Sequence, residues 1–177
     1  MSLGDDFQGI LERARGGDPL AWESLYRDLA PLVIGYLRAK GAPEPEDLLG
    51  ATFLSVVRDI ERFSGGEREF RSWVLTITHR RQVDEVRRSS RRVKEVPDSE
   101  GDRVPVGDAE ADALERLDLA SVRAILGRLS PDQQAVIALR VIGDLTIEEV
   151  ARILDKRPGA VKALQRRGFE ALRKFLS

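Results

Sequence analysis

Two short apolar stripes joined by a tight polar connection constrain this chain more than any other feature. Val150, Ala151 and Leu154 fall on one face of a short helix. Asp155-Lys156-Arg157 forms the connection, and a second helix opens at Pro158 and buries Val161, Leu164 and Gln165. The small Ala151 suits the point where two helices cross steeply. Asp155 stands where such a turn usually carries Gly, and Asp enters the left-handed region more readily than most residues. Two capping boxes frame the unit, Ser130 with Gln133 and Thr146 with Glu149. The spacing predicts a helix-turn-helix whose second helix presents Lys162, Ala163 and Arg166 outward, a form that fits a DNA major groove. The competing reading is a plain three-helix bundle with Lys162 and Arg166 as solvated surface.

The rest of the chain also reads as helix. Asp18-Pro19 is a helix-start signal. The run Ala21 to Lys40 then repeats apolar residues at spacings of three and four, through Trp22, Leu25, Tyr26, Leu29, Leu32, Val33, Tyr36 and Leu37. Gly41-Ala42-Pro43 ends it. A further helix is predicted over about 46–63 and another over about 69–92, separated by Ser64-Gly65-Gly66. In the latter, Phe70, Trp73, Val74 and Ile77 form an apolar stripe that turns basic beyond Ile77. Arg81 lies near the angular position of Ile77, so the pattern leaves open a pairing with Asp84 or a contact with DNA; Arg80 and Arg87 are placed better for DNA. An exposed, salt-bridged helix end is the plain alternative for this whole segment.

From 93 to 112 the periodicity vanishes among Pro97, Gly101, Pro105, Gly107 and many acids, which predicts a flexible acidic linker. Helices resume over 114–129. The expected fold class is therefore all-α: two small helical domains, 1–92 and 113–177, on a tether, the second with the helix-turn-helix.

Charge gives this order a meaning. Lys and Arg number 29 against 30 Asp and Glu, a net charge of -1, which is unusual for a DNA binder. Resolved along the chain, 80–94 and 156–174 are basic, and the stretch between 95 and 118 is acidic. Such a chain touches nucleic acid at two places and binds it poorly alone. The absence of Cys excludes disulfides, thiolate metal sites and a cysteine nucleophile. His79 is the single histidine, with no partner spacing for a metal or a catalytic role. No catalytic constellation or P-loop is legible, so neither an enzyme nor a cofactor or small-molecule substrate is expected. The opening residues carry no signal-peptide pattern and no run approaches the roughly 20 apolar residues of a membrane span, so a cytoplasmic location without membrane contact is expected.

Three segments together resemble region 2 of the extracytoplasmic-function (ECF) sigma factors: Asp47-Leu48-Leu49-Gly50-Ala51-Thr52-Phe53, Phe70-Arg71-Ser72-Trp73-Val74-Leu75-Thr76-Ile77 and Asp84-Glu85-Val86-Arg87-Arg88. Leu129-Ser130-Pro131-Asp132-Gln133-Gln134 and the helix-turn-helix resemble their region 4. The resemblance implies core RNA polymerase and promoter DNA as partners, and admits an anti-sigma factor. It implies docking on polymerase through Asp47, Leu48, Leu49 and Phe53. It implies capture of the melted minus-ten strand by Ser64, Gly65, Gly66, Glu67 and Arg68 with Arg80, Arg87 and Arg88. The minus-thirty-five duplex would be read by Lys162, Ala163 and Arg166, with Arg157 and Arg167 on phosphates. Family members often carry Gln-Glu at Gly50-Ala51 and Asn at Arg80, which shifts weight onto Asp47, Leu48 and Phe53 and leaves the base preference open. A helix-turn-helix regulator acting without polymerase, and a helical adaptor that binds only proteins, are the alternatives. The twenty-residue linker could reach about 65 Å, or roughly nineteen base pairs of spacer.

Overall fold

The computed structural model describes residues 6–95 and 124–176. Most of the expected linker lies outside these, as does the start of the helix expected over 114–129. Among the described residues the elements are α1 (Phe7–Arg15), α2 (Pro19–Ala39), α3 (Pro45–Asp59), α4 (Glu67–Glu95), α5 (Pro131–Val141), α6 (Ile147–Ile153) and α7 (Pro158–Leu176).

Local chemistry sets the boundaries. The Asp18 carboxylate accepts from the Leu20 amide at 2.9 Å, and Pro19 occupies the first turn of α2. Pro45 opens α3, and Glu46 and Asp47 place negative charge at its positive end. This helix stops at Asp59, earlier than the periodicity suggests; a 3-10 turn over Ile60–Arg62 replaces its last stretch, closed by the Phe63 amide on the Ile60 carbonyl at 3.1 Å. Gly65 follows at φ +146°, where a side chain would also meet Glu69 Cβ at 2.8 Å. Helix α4 then continues to Glu95, beyond the predicted end near 92. Helix α1 carries no expectation from the motifs above, although Phe7, Ile10, Leu11 and Ala14 keep a helical spacing and are all buried.

Helices α1 to α4 enclose the first core, centred on Leu11, Leu25, Val33, Tyr36, Val56, Phe70 and Val74. Phe7 and Phe63 pack on Phe70 at 5.5 and 5.0 Å between ring centres, and Trp73 closes the cluster 5.2 Å from Phe63. Trp22 and Trp73 both lie partly buried against this core. A well-buried Asp28 pairs with Arg71 at 2.7 Å and ties α2 to α4.

Helices α5 to α7 form the second core around Val136, Leu139, Leu145, Val150 and Val161. Both capping boxes are closed: the Ser130 hydroxyl accepts from the Gln133 amide at 3.3 Å, and the Thr146 hydroxyl from the Glu149 amide at 3.2 Å. Asp155 adopts φ +50°, as the turn requires. The two domains are also packed together rather than merely tethered. Leu75 of α4 is fully buried, and its Cδ1 lies where a Cβ on Gly143 would come within 2.9 Å. Only Gly fits there, since that Cβ would also meet the Leu139 carbonyl at 2.5 Å.

The Thr146 cap holds the first helix of the turn unit, so Thr146→Ala should lower stability by about 1 kcal/mol, and Thr146→Ser should recover most of it. Urea midpoints for the three proteins check this; equal midpoints would mean the cap is not stabilising.

Candidate nucleic-acid interface

The face of α7 opposite Val161 carries the expected donors. Lys162 and Arg166 are four residues apart and exposed, with Arg157 before the helix and Arg167 after Arg166 also exposed. Ala163 is half-buried at the edge of this face. Arg166 is only loosely engaged, 3.9 Å from Glu170, so it is available to a ligand. Arg167 folds back, its Nε donating to the Ala163 carbonyl at 3.3 Å. Gln165 is turned away and half-buried, accepting from Arg140 Nε at 3.3 Å. Arg140 also donates to the Leu145 carbonyl, so a single guanidinium braces α5, the turn before α6 and α7.

On α4, Arg80, Arg87, Arg88 and Arg91 are exposed, Arg88 sharing its charge with Glu85 at 3.6 Å. Arg81 is half-buried and donates to Ser55 Oγ at 2.6 Å, which fixes α4 to α3. The choice between Asp84 and DNA therefore gives way to a partner 26 residues upstream.

Before α4, the loop 63–66 exposes Ser64, with Gly65 and Gly66 half-buried. Glu67 turns back to Arg71 at 3.4 Å, and Arg68 reaches Glu149 of α6 at 3.4 Å. Burial alone would raise the Glu149 pKa. Hydrogen bonds from the Thr146 amide and hydroxyl and from Arg68 outweigh it and hold the carboxyl below its ordinary range.

Gln8 and Arg15, which the sequence patterns do not single out, hold this loop. Gln8 Nε2 donates to the Gly65 carbonyl at 3.0 Å, and Arg15 to the carbonyls of Ile60, at 3.4 Å, and Phe63. The stripe of α1 could have revealed the helix; nothing in its spacing reveals these long-range targets.

Of the four residues expected to dock on a partner, only Asp47 is exposed. Leu48, Leu49 and Phe53 are buried, because they occupy the inward face of α3. Its outward face carries Leu54 and Val57, 74% and 50% exposed, beside Tyr26, whose ring packs 4.7 Å from Phe53. A groove of about 320 Å³ opens between Glu44, Asp47, Ala51 and Leu48 on one side and Arg81, Glu85 and Arg88 on the other.

His79 sits beneath the basic face of α4, its Nδ1 2.7 Å from the Tyr36 hydroxyl. Burial lowers its pKa to about 4, helped by the charges of Lys40 and Arg80 and opposed by Asp132. The imidazole is thus neutral near pH 7 and adds no positive charge to the surface. Among the described residues no group of three or more potential metal ligands occurs, and no helix is long and apolar enough to cross a membrane.

Residues 25–92 match Sigma-70 region 2, and residues 119–172 match Sigma-70 region 4. The chain is 33% identical over 168 residues to the RNA polymerase sigma factor CarQ of Myxococcus xanthus, covering 94% of this chain and 95% of CarQ. It is 32% identical over 170 residues to the ECF RNA polymerase sigma factor BldN of Streptomyces coelicolor, covering 94% of this chain but only 64% of BldN. Its fold is similar to that of the sigma factor RpoE, solved in complex with the anti-sigma factor NepR from Bartonella quintana. There the TM-score is 0.71 at 21% identity, over 88% of this chain and 96% of that one.

The depressed His79 pKa has a consequence for stability. Between pH 6.5 and about 4 the unfolded chain takes up a proton on His79 and the folded chain does not, so folding weakens as pH falls through that window. The loss should amount to no more than about 3 kcal/mol. Because carboxylates titrate at the acid end of the same window, the check is a comparison: His79→Gln should show a shallower decline of urea midpoint from pH 6.5 to 4 than the wild type. Parallel declines would assign the effect to other groups.

Proposed function

Because this chain belongs to the ECF family of RNA polymerase sigma factors, we propose that it docks on core RNA polymerase and directs initiation at promoters. In this reading α7 reads the minus-thirty-five element as duplex, and the 63–66 loop, Glu67 and Arg68 at the start of α4, and the Arg80 face of α4 take the minus-ten element as melted strand. The observation that carries it is the separation of two exposed basic faces, one on each domain, within a chain of net charge -1. Each face alone is a weak binder; joined on one duplex, they gain from effective concentration. Minus-thirty-five selectivity rests on Lys162 and Arg166, since a basic side chain in the major groove can donate to guanine O6 and N7. Arg suits the bidentate geometry better than Lys. Arg157 and Arg167 serve phosphates, and Ala163 offers its small apolar side chain at the edge of the face.

Docking falls to the exposed surface around Asp47, with Leu54 and Val57 in place of the buried Leu48, Leu49 and Phe53. Large exposed aliphatic side chains beside an acidic helix start suit a partner with an apolar patch bordered by positive charge. An anti-sigma factor is a second partner in this reading, by analogy with the RpoE complex.

The test is transcription in vitro with core polymerase on a genomic library, followed by sequencing of transcript starts. Discrete starts sharing two upstream elements are expected. Asp47→Arg should abolish association with core polymerase while leaving helical content and melting temperature nearly unchanged. Arg166→Ala should lower output by about tenfold or more and relax preference at one or two upstream positions, the loss of roughly one bidentate contact. Unchanged output and preference in Arg166→Ala would remove α7 as the reading helix. Tight, selective duplex binding without polymerase would favour a free-standing regulator.

A further inference from the structure

We propose that α1, which lies outside the segment matching region 2, is a positioning element for the strand-capture loop, acting through Gln8 and Arg15. This rests on the reading of that loop given above. The 3-10 turn and the loop after it present three carbonyls, those of Ile60, Phe63 and Gly65, and all three accept from α1 side chains. Arg15 spans two of them with one planar fork, and Glu12 at 2.5 Å braces it from behind. Phe7 anchors the same helix on Phe70, the first core residue of α4. With its backbone held from below, the loop keeps Ser64 and Arg68 on its outer side and has less freedom to lose when a strand binds.

The experiment uses holoenzyme assembled with wild type, Arg15→Ala, Arg15→Lys or Gln8→Ala, and a labelled single-stranded minus-ten oligonucleotide. Strand affinity should fall about tenfold in Arg15→Ala and less in Gln8→Ala, with partial recovery in Arg15→Lys, while affinity for core polymerase stays constant. Unchanged strand affinity overturns the proposal, as does a parallel loss of strand and core affinity, which marks a purely structural role. Gln8 is exposed, so Gln8→Ala keeps the test open if Arg15→Ala fails to fold. Wild-type holoenzyme that ignores the oligonucleotide would instead overturn the assignment of the loop.

Discussion

Helix α4 is buried on two sides, and the arrangement of the molecule follows from that. Phe70 and Val74 insert into the core of the first domain, and Leu75, one position round the helix, is sealed by the second. A fully buried leucine is worth about 1.5–3 kcal/mol relative to exposure. Covering Leu75 therefore outweighs the Arg68–Glu149 pair at the same boundary, whose guanidinium stays mostly in solvent and which is worth about 1 kcal/mol. The apolar contact draws the domains together, and the charged contacts around it select the register.

The charged groups divide by burial into structural and available sets. Arg71, Arg81 and Arg140 are at least half-buried and spend their donors on Asp28, Ser55 and the Leu145–Gln165 pair. Arg80, Arg87, Lys162 and Arg166 remain exposed. Desolvated guanidinium groups need their partners, whereas exposed ones are free to exchange water for phosphate or base edges. This division separates the residues that build the two faces from those that can bind, and it underlies the two-surface reading of a chain with almost no net charge.

Within the second domain, the rigidity of the turn unit comes from short-range chemistry. The Thr146 box, the left-handed Asp155 and the small Ala151 set the angle between α6 and α7, and Arg140 locks it from α5. Glu149 serves both the box and the domain boundary, since the carboxylate that caps α6 also receives Arg68. The shape of the reading unit and the closure of the two domains thus share one side chain.

The start of α2, both capping boxes, the turn unit and the exposure of Lys162 and Arg166 were legible in the sequence, because each depends on residues within about four positions of one another, whereas α1 and the ends of α3 and α4 were not. The buried stripes of α2 and α4 were legible for the same reason. Leu48, Leu49 and Phe53 show the limit: periodicity groups them on one face of α3 but does not say whether that face meets the protein's own core or a partner. The contacts of Gln8, Arg15 and Arg81, and the sealing of Leu75 by Gly143, join residues 26 to 68 positions apart and carry no periodic signal. Local spacing determined the helices, the turn and the two basic faces; packing between distant segments alone decided which arginines are free, what holds the capture loop and that the two domains close on each other.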